Sequence, residues 1–339
     1  MDILNCRTLK QQAAGKLPCD HKKLSLIHAG IALGGGFIIS LLQLYLNKQI
    51  AHTGGLAGLG TRSILETLQM VLQYVVNIGL PFWEIGFLFV ALGWMRGERA
   101  VFGSLAEGFR RFRSVLRLLL TQTLVYVGSI LICCYAGAMI FAYTPMASQA
   151  QALFLPMMEA ELTMEQMMAA VSEMPMMEVL SVMAPAFILM GVLMAVVGVC
   201  LFYRFRMAHF IIKDQPRLSG LMVLFLSSRM TKGHRWKLVR LDLSFWWYYL
   251  LLGFSGVAMY ANIILSRLGI ALPVTEDVAW IFSYGLGCLI QLVLCWRYMG
   301  YVQTTYAAAY EQLRQLPPEQ PKPQPVPKNL HWDEYKTEE

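Results

Sequence analysis

Residues 203–251 read YRFRMAHFIIKDQPRLSGLMVLFLSSRMTKGHRWKLVRLDLSFWWYYLL. Nine Lys or Arg stand between Arg204 and Arg240 against one acid, Asp214. Long apolar runs flank this basic turn, at about residues 179–203 before it and 241–265 after it. A basic turn between two apolar segments is held on the cytoplasmic side of a membrane, so it orients both flanking helices.

The whole chain agrees with a membrane setting. Its 339 residues are 57% hydrophobic and only 14% charged, with a mean hydropathy of +0.50. That balance exceeds what a soluble domain carries. The expected fold is an all-α polytopic transmembrane bundle of six spans, at about 24–46, 71–95, 118–143, 179–203, 241–265 and 278–296. Residues 1–23 form a basic N-terminus with Arg7, Lys10, Lys16, Lys22 and Lys23, and no cleavable signal is expected there. A second basic loop, 96–117, carries six Arg against Glu98 and Glu107. Residues 144–178 hold five Glu, nine Met and no Lys or Arg, and are expected outside. Of the 28 Lys and Arg, only Lys48, Arg62 and Arg267 fall outside the expected cytoplasmic segments, which places both termini in the cytoplasm. From 301 to 339 the chain is expected to form a cytoplasmic Pro-rich disordered tail, since PPEQPKPQPVP cannot build a core.

Several local patterns read two ways. Gly30 and Gly34 form a GxxxG pair, extended by Gly35 and Gly36, which would let another helix approach closely. The Gly-rich link at Gly54, Gly55, Gly58 and Gly60 lacks the strand and the Lys-Ser or Lys-Thr of a phosphate loop, and is expected to be a turn. Ser63 to Met95 is one long helical pattern that Pro81 should kink. On it, Glu66, Gln69, Gln73, Asn77 and Glu84 share a face at 100° per residue. One reading is a water-filled pocket open to the outside, lined by Glu66, Gln73 and Asn77, with Glu84 as its floor, about 18 Å from Arg96 and near the bilayer midplane. The other is a protonated Glu84 bonded to a neighbouring helix.

The remaining chemistry is thin. The Met-rich segment 144–178 offers soft thioethers for Cu(I), but an amphipathic helix laid over the bundle accounts for the same residues. The histidines show no HxxxH or HExxH spacing, no Gly-x-Ser-x-Gly occurs, and the cysteines lack metal or disulfide spacing. Neither catalysis nor a cofactor is therefore expected. Arg229, Lys232, Arg235, Trp236, Lys237 and Arg240 form a basic patch with an embedded Trp, suited to anionic lipid headgroups as well as to setting topology. Nucleic acid is not an expected partner, because the basic residues flank spans. The Glu residues of 144–178 favour a cationic external ligand.

Around the basic turn, Ser228-Arg229-Met230, Lys232-Gly233, Arg235-Trp236-Lys237 and Leu243-Ser244-Phe245 resemble the central signature of the bacterial family named domain of unknown function 975. Met207-Ala208 with Asp214-Gln215-Pro216 resembles the piece before it, and Tyr301, Thr304 and Tyr310-Glu311-Gln312-Leu313 its closing motif. The resemblance covers about residues 80 to 315. Trp247 and Tyr248 depart from a usual Gly-Trp pair, and Gly300 from a usual Pro. Membership implies a six-span membrane protein without an assigned reaction. A loosely similar module accompanies some glycerophosphodiester phosphodiesterases, which points toward lipids. The function expected is that of a non-enzymatic plasma-membrane protein in envelope or lipid-related adaptation; the alternative is a secondary transporter or small-solute and cation carrier.

Overall fold

The computed structural model describes residues 4–52, 59–144, 148, 176–268 and 275–316. They form α1 (Cys6–Lys16), α2 (His21–His52), α3 (Leu59–Met95), α4 (Phe102–Leu105), α5 (Glu107–Arg110), α6 (Phe112–Ala142) and α7 (Met176–Phe205). Then follow α8 (Ala208–Asp214), α9 (Gly220–Thr231), α10 (Arg235–Leu243), α11 (Trp246–Met259), α12 (Ala261–Arg267), α13 (Glu276–Leu294) and α14 (Gly300–Arg314). A π turn, Cys295–Met299, joins the last two. No strand occurs among the described residues, and the fold is all-α.

Among the described residues, five stretches are long and apolar enough to cross a bilayer: His21–Gln49, Ser63–Met95, Phe112–Ala142, Phe187–Asp214 and Asp277–Arg314. The pair α11 and α12, bent by 63°, makes a sixth when counted as one span. Their outward faces are bare hydrocarbon. Leu124, Ile132 and Ile188 are about 70% exposed, a surface that a bilayer covers and water does not.

Burial is concentrated at the basic end of the bundle. Apart from Glu84, the second half of α3 is apolar on all sides, and Phe82, Ile85, Phe87, Phe89, Val90, Leu92 and Trp94 are all buried there. A helix of that kind must be wrapped by neighbours. α14 and α8 pack along it, and α4 and α5 fold back onto it. The fold-back needs glycine: a side chain on Gly86 would meet the Leu105 carbonyl, and one on Gly108 the Phe82 carbonyl.

Three features differ from the sequence-based expectation. Residues from 301 do not begin a tail: α14 continues the last span to Arg314 with Val302, Tyr306, Tyr310 and Leu313 buried. Those residues recur at helical spacing, and three consecutive alanines, Ala307 to Ala309, let α14 lie close to α3. The N-terminal segment is also part of the body. α1 buries Leu9 and Ala13, Lys10 donates from Nζ to the Ser244 carbonyl at 2.9 Å, and the Leu4 amide donates to Gln312 Oε1 at 3.2 Å. Finally, a side chain added at any glycine of the GxxxG pattern, Gly30, Gly34, Gly35 or Gly36, would meet nothing within 4 Å, so no close helix contact needs them. The Gly-rich link 54–60 begins outside the described residues. Most of segment 144–178 and all of 317–339 also lie outside them.

Candidate functional site

The basic turn folds into a second layer of short helices, and their ends are tied by charge. Arg96, just past α3, grips Asp214 at the end of α8 with two hydrogen bonds, Nη1 to Oδ1 at 2.7 Å and Nη2 to Oδ2 at 2.9 Å. Its Nε donates to Glu311 Oε1 of α14 at 2.7 Å. Tyr310 donates its hydroxyl to Asp214 Oδ2 at 2.8 Å, and Arg314 lies 3.3 Å from the same oxygen. The Asp214 hydrogen bonds push the Arg96 pKa above its ordinary value, while burial opposes them. Arg96 is thus a permanent cation joining three elements.

Beside this hub lies a cleft of about 710 Å³ between α8, α9 and α14. Its walls are apolar, with Ile211, Leu226, Met230, Leu313 and Leu316. Arg229, Lys232 and Arg314 bring positive charge to it, with His234 beside them and Asp214 and Tyr310 on its α8 and α14 side. Asp214 is already neutralised by Arg96. Arg229 is exposed, and its side chain makes no ion pair or hydrogen bond among the described residues. The arrangement offers a cationic rim above an apolar wall, which suits an anionic group carried on a hydrocarbon stem.

Of the six residues expected at headgroups, Arg229 and Lys232 line the cleft. Arg235, Trp236 and Arg240 are exposed on the adjoining α10, with Trp236 65% open, and Lys237 is half-buried. Sequence reading missed Arg314, Tyr310 and Asp214 as parts of the same site. Asp214 and Tyr310 stood in the quoted motif pieces, but nothing in the order of the chain says that residues 96 positions apart share a hydrogen bond.

The polar stripe on α3 divides between two neighbours. Gln43 of α2 donates to Gln73 Oε1 at 2.6 Å, and Gln73 donates to Asn77 Oδ1 at 3.1 Å. Glu66 is exposed further along. Glu84 instead lines a separate pocket of about 280 Å³ with Gln122, Thr123 and Tyr126 of α6 and His209 of α8. α2 lies beside α3 at Gln73 and α6 at Glu84, so one face of an ideal helix serves two different surroundings. Depth changes too. Counting rise along α3 alone puts Glu84 near the midplane, but the charged segment with Glu107, Arg110 and Arg111 folds back to Phe82 and Gly86. Glu84 therefore sits level with the basic loop.

These features define a multi-pass helical membrane protein with its folded core at the basic end. The chain belongs to the family described as "Protein of unknown function (DUF975)", which matches residues 28–317. That match extends further toward the N-terminus than the resemblance in the sequence and takes in α2. No curated protein and no solved structure matches the chain. The three motif pieces, around 207–216, 228–237 and 301–313, meet at the cleft: Asp214 and Gln215, Arg229, Met230, Lys232 and Gly233, and Tyr310 with Leu313 all line it.

Proposed function

We propose that the chain is a non-enzymatic protein of the plasma membrane that holds anionic lipid headgroups in the cleft between α8, α9 and α14, serving envelope or lipid-related adaptation. The observation that carries the reading is the pairing of the rim cations Arg229, Lys232 and Arg314 with an apolar wall in one cleft. Guanidinium and ammonium groups attract phosphate without exchanging protons at neutral pH, so the site serves binding. In this reading the basic end faces the cytoplasm, where anionic lipids concentrate.

The test uses the full chain reconstituted into nanodiscs with mixed phosphatidylglycerol and phosphatidylcholine, followed by analysis of the lipid retained on extraction. Each basic residue near a headgroup contributes about 1 kcal/mol, so Arg229→Gln with Lys232→Gln should reduce the preference for the anionic lipid about thirtyfold. An unchanged lipid profile in a correctly oriented variant would show that these charges serve topology alone.

A further inference from the structure

The pocket at Glu84 holds polar chemistry that the protein itself leaves unused. Five polar side chains line it: Glu84, Gln122, Thr123, Tyr126 and His209, the last at the start of α8. None of the five makes a hydrogen bond or ion pair among the described residues. Gln122 Oε1 is buried outright and without a partner. Pro81, also in the wall, has no amide N–H, so it cannot donate to the Asn77 carbonyl one turn earlier. Glu84 and Thr123 open to the surface of the pocket, and Tyr126 and His209 are half-buried. Buried polar atoms are ordinarily paired, so an unpaired buried acceptor on a cavity wall with four more unpaired polar side chains points to an occupant.

We infer that this pocket takes a primary ammonium group on a short carbon stem. Glu84 supplies the negative charge, and the Gln122 amide, the Thr123 hydroxyl and a neutral His209 supply acceptors for the three N–H donors. Tyr126 presents an aromatic ring of the kind that attracts a cation at its face. Pro81, Ile85 and Leu88 give the stem an apolar lining. A pocket of about 280 Å³ is too large for a bare ion and close to the lower limit of small-molecule sites. The described residues contain no cluster of three His, Cys, Asp or Glu to hold a metal. The cation next to His209, Arg206, is engaged elsewhere: it lies 3.6 Å from Asp242 and stacks 4.0 Å over the Tyr306 ring. Because Glu84 lies level with the charged α4–α5 segment, an amine at the headgroup layer can reach it.

Two sources carry this chemistry, an aminophospholipid headgroup and a free amine. The full chain is reconstituted with equal phosphatidylethanolamine and phosphatidylcholine of identical acyl chains, and the retained lipid is identified by native mass spectrometry. The two headgroups differ only in the methylation of nitrogen, and both are zwitterionic, so the anion-binding cleft does not decide between them. In a second arm, ethanolamine and tetramethylammonium are each titrated against the thermal unfolding of the protein in phosphatidylcholine alone. The expected result is a preference of about tenfold for phosphatidylethanolamine, the ratio that one charge-assisted hydrogen bond supports, abolished by Glu84→Gln. Stabilisation by ethanolamine but not by tetramethylammonium, without the lipid preference, assigns the pocket to a free amine. The wild-type comparison needs no variant, and Gln122→Leu, which leaves the carboxylate in place, provides a second variant should Glu84→Gln fail to fold. If the wild type shows neither preference nor stabilisation, or if both survive Glu84→Gln and Gln122→Leu, the pocket is not an ammonium site.

Discussion

Asp214 carries more of the structure than any other single carboxylate described. It accepts from both terminal nitrogens of Arg96 and from Tyr310, and it is 3.3 Å from Arg314. Both members of the Arg96–Asp214 pair are mostly shielded, with side chains 26% and 15% exposed. Removing one partner leaves the other charge stranded, so Asp214→Ala should cost about 2 to 4 kcal/mol, read as a fall in unfolding temperature in detergent. Tyr310→Phe deletes one hydrogen bond to the same carboxylate and should cost about 1 kcal/mol. Arg229→Gln touches no partner among the described residues and should change stability by less than about 0.5 kcal/mol, separating its role from that of Arg96.

Among the elements, the fold-back of α4 and α5 onto α3 decides the shape of the basic end. The crossing is backbone on backbone: Gly86 faces the Leu105 carbonyl and Gly108 the Phe82 carbonyl. Neither carbonyl can swing aside as a side chain does, so Gly108→Ala should force α5 away from α3 and cost about 1 to 3 kcal/mol. The glycines of α2 provide the control. Gly34→Ala adds a methyl where nothing lies within 4 Å, and it should leave the unfolding temperature unchanged within about 0.5 kcal/mol. Equal losses for the two substitutions would mean that the α2 glycines are themselves packed in the membrane.

For the whole molecule, the folded core and the membrane surface are segregated. One face of α3 joins α8, α9 and α14 in a buried cluster at the basic end and its other face packs with Leu24 and Leu105 in a second, while α6 and α7 expose apolar faces along their length. Truncation should follow that division. Ending the chain after Leu316 keeps α14 and should preserve folding in detergent, whereas ending it after Tyr298 removes Tyr306, Tyr310 and Leu313 from the core and should abolish it. Orientation has its own test. Fusing a reporter after Gln315 should place it in the cytoplasm, and one within Thr144 to Glu178 outside, as the distribution of Lys and Arg requires. An external signal from the first fusion would reverse the assignment of the basic end.

The sequence by itself determined the class of structure, because runs of apolar side chains long enough to cross hydrocarbon have few alternatives to helix. It also marked the basic turn and, through its motif pieces, most of the residues that meet at the cleft. Periodicity along α3 put Gln73, Asn77 and Glu84 on one face, and only packing showed that this face meets Gln43 in one place and the α6–α8 pocket in another. Contact between distant segments is not written in local spacing: Asp214 finds Tyr310 across 96 positions, and Leu4 finds Gln312 across 308. The same limit hid the role of residues 301–314. Their helical period was visible, but what they were to pack against was not, since α3 becomes their partner only when the last span returns the chain to the basic end and lays α14 along it.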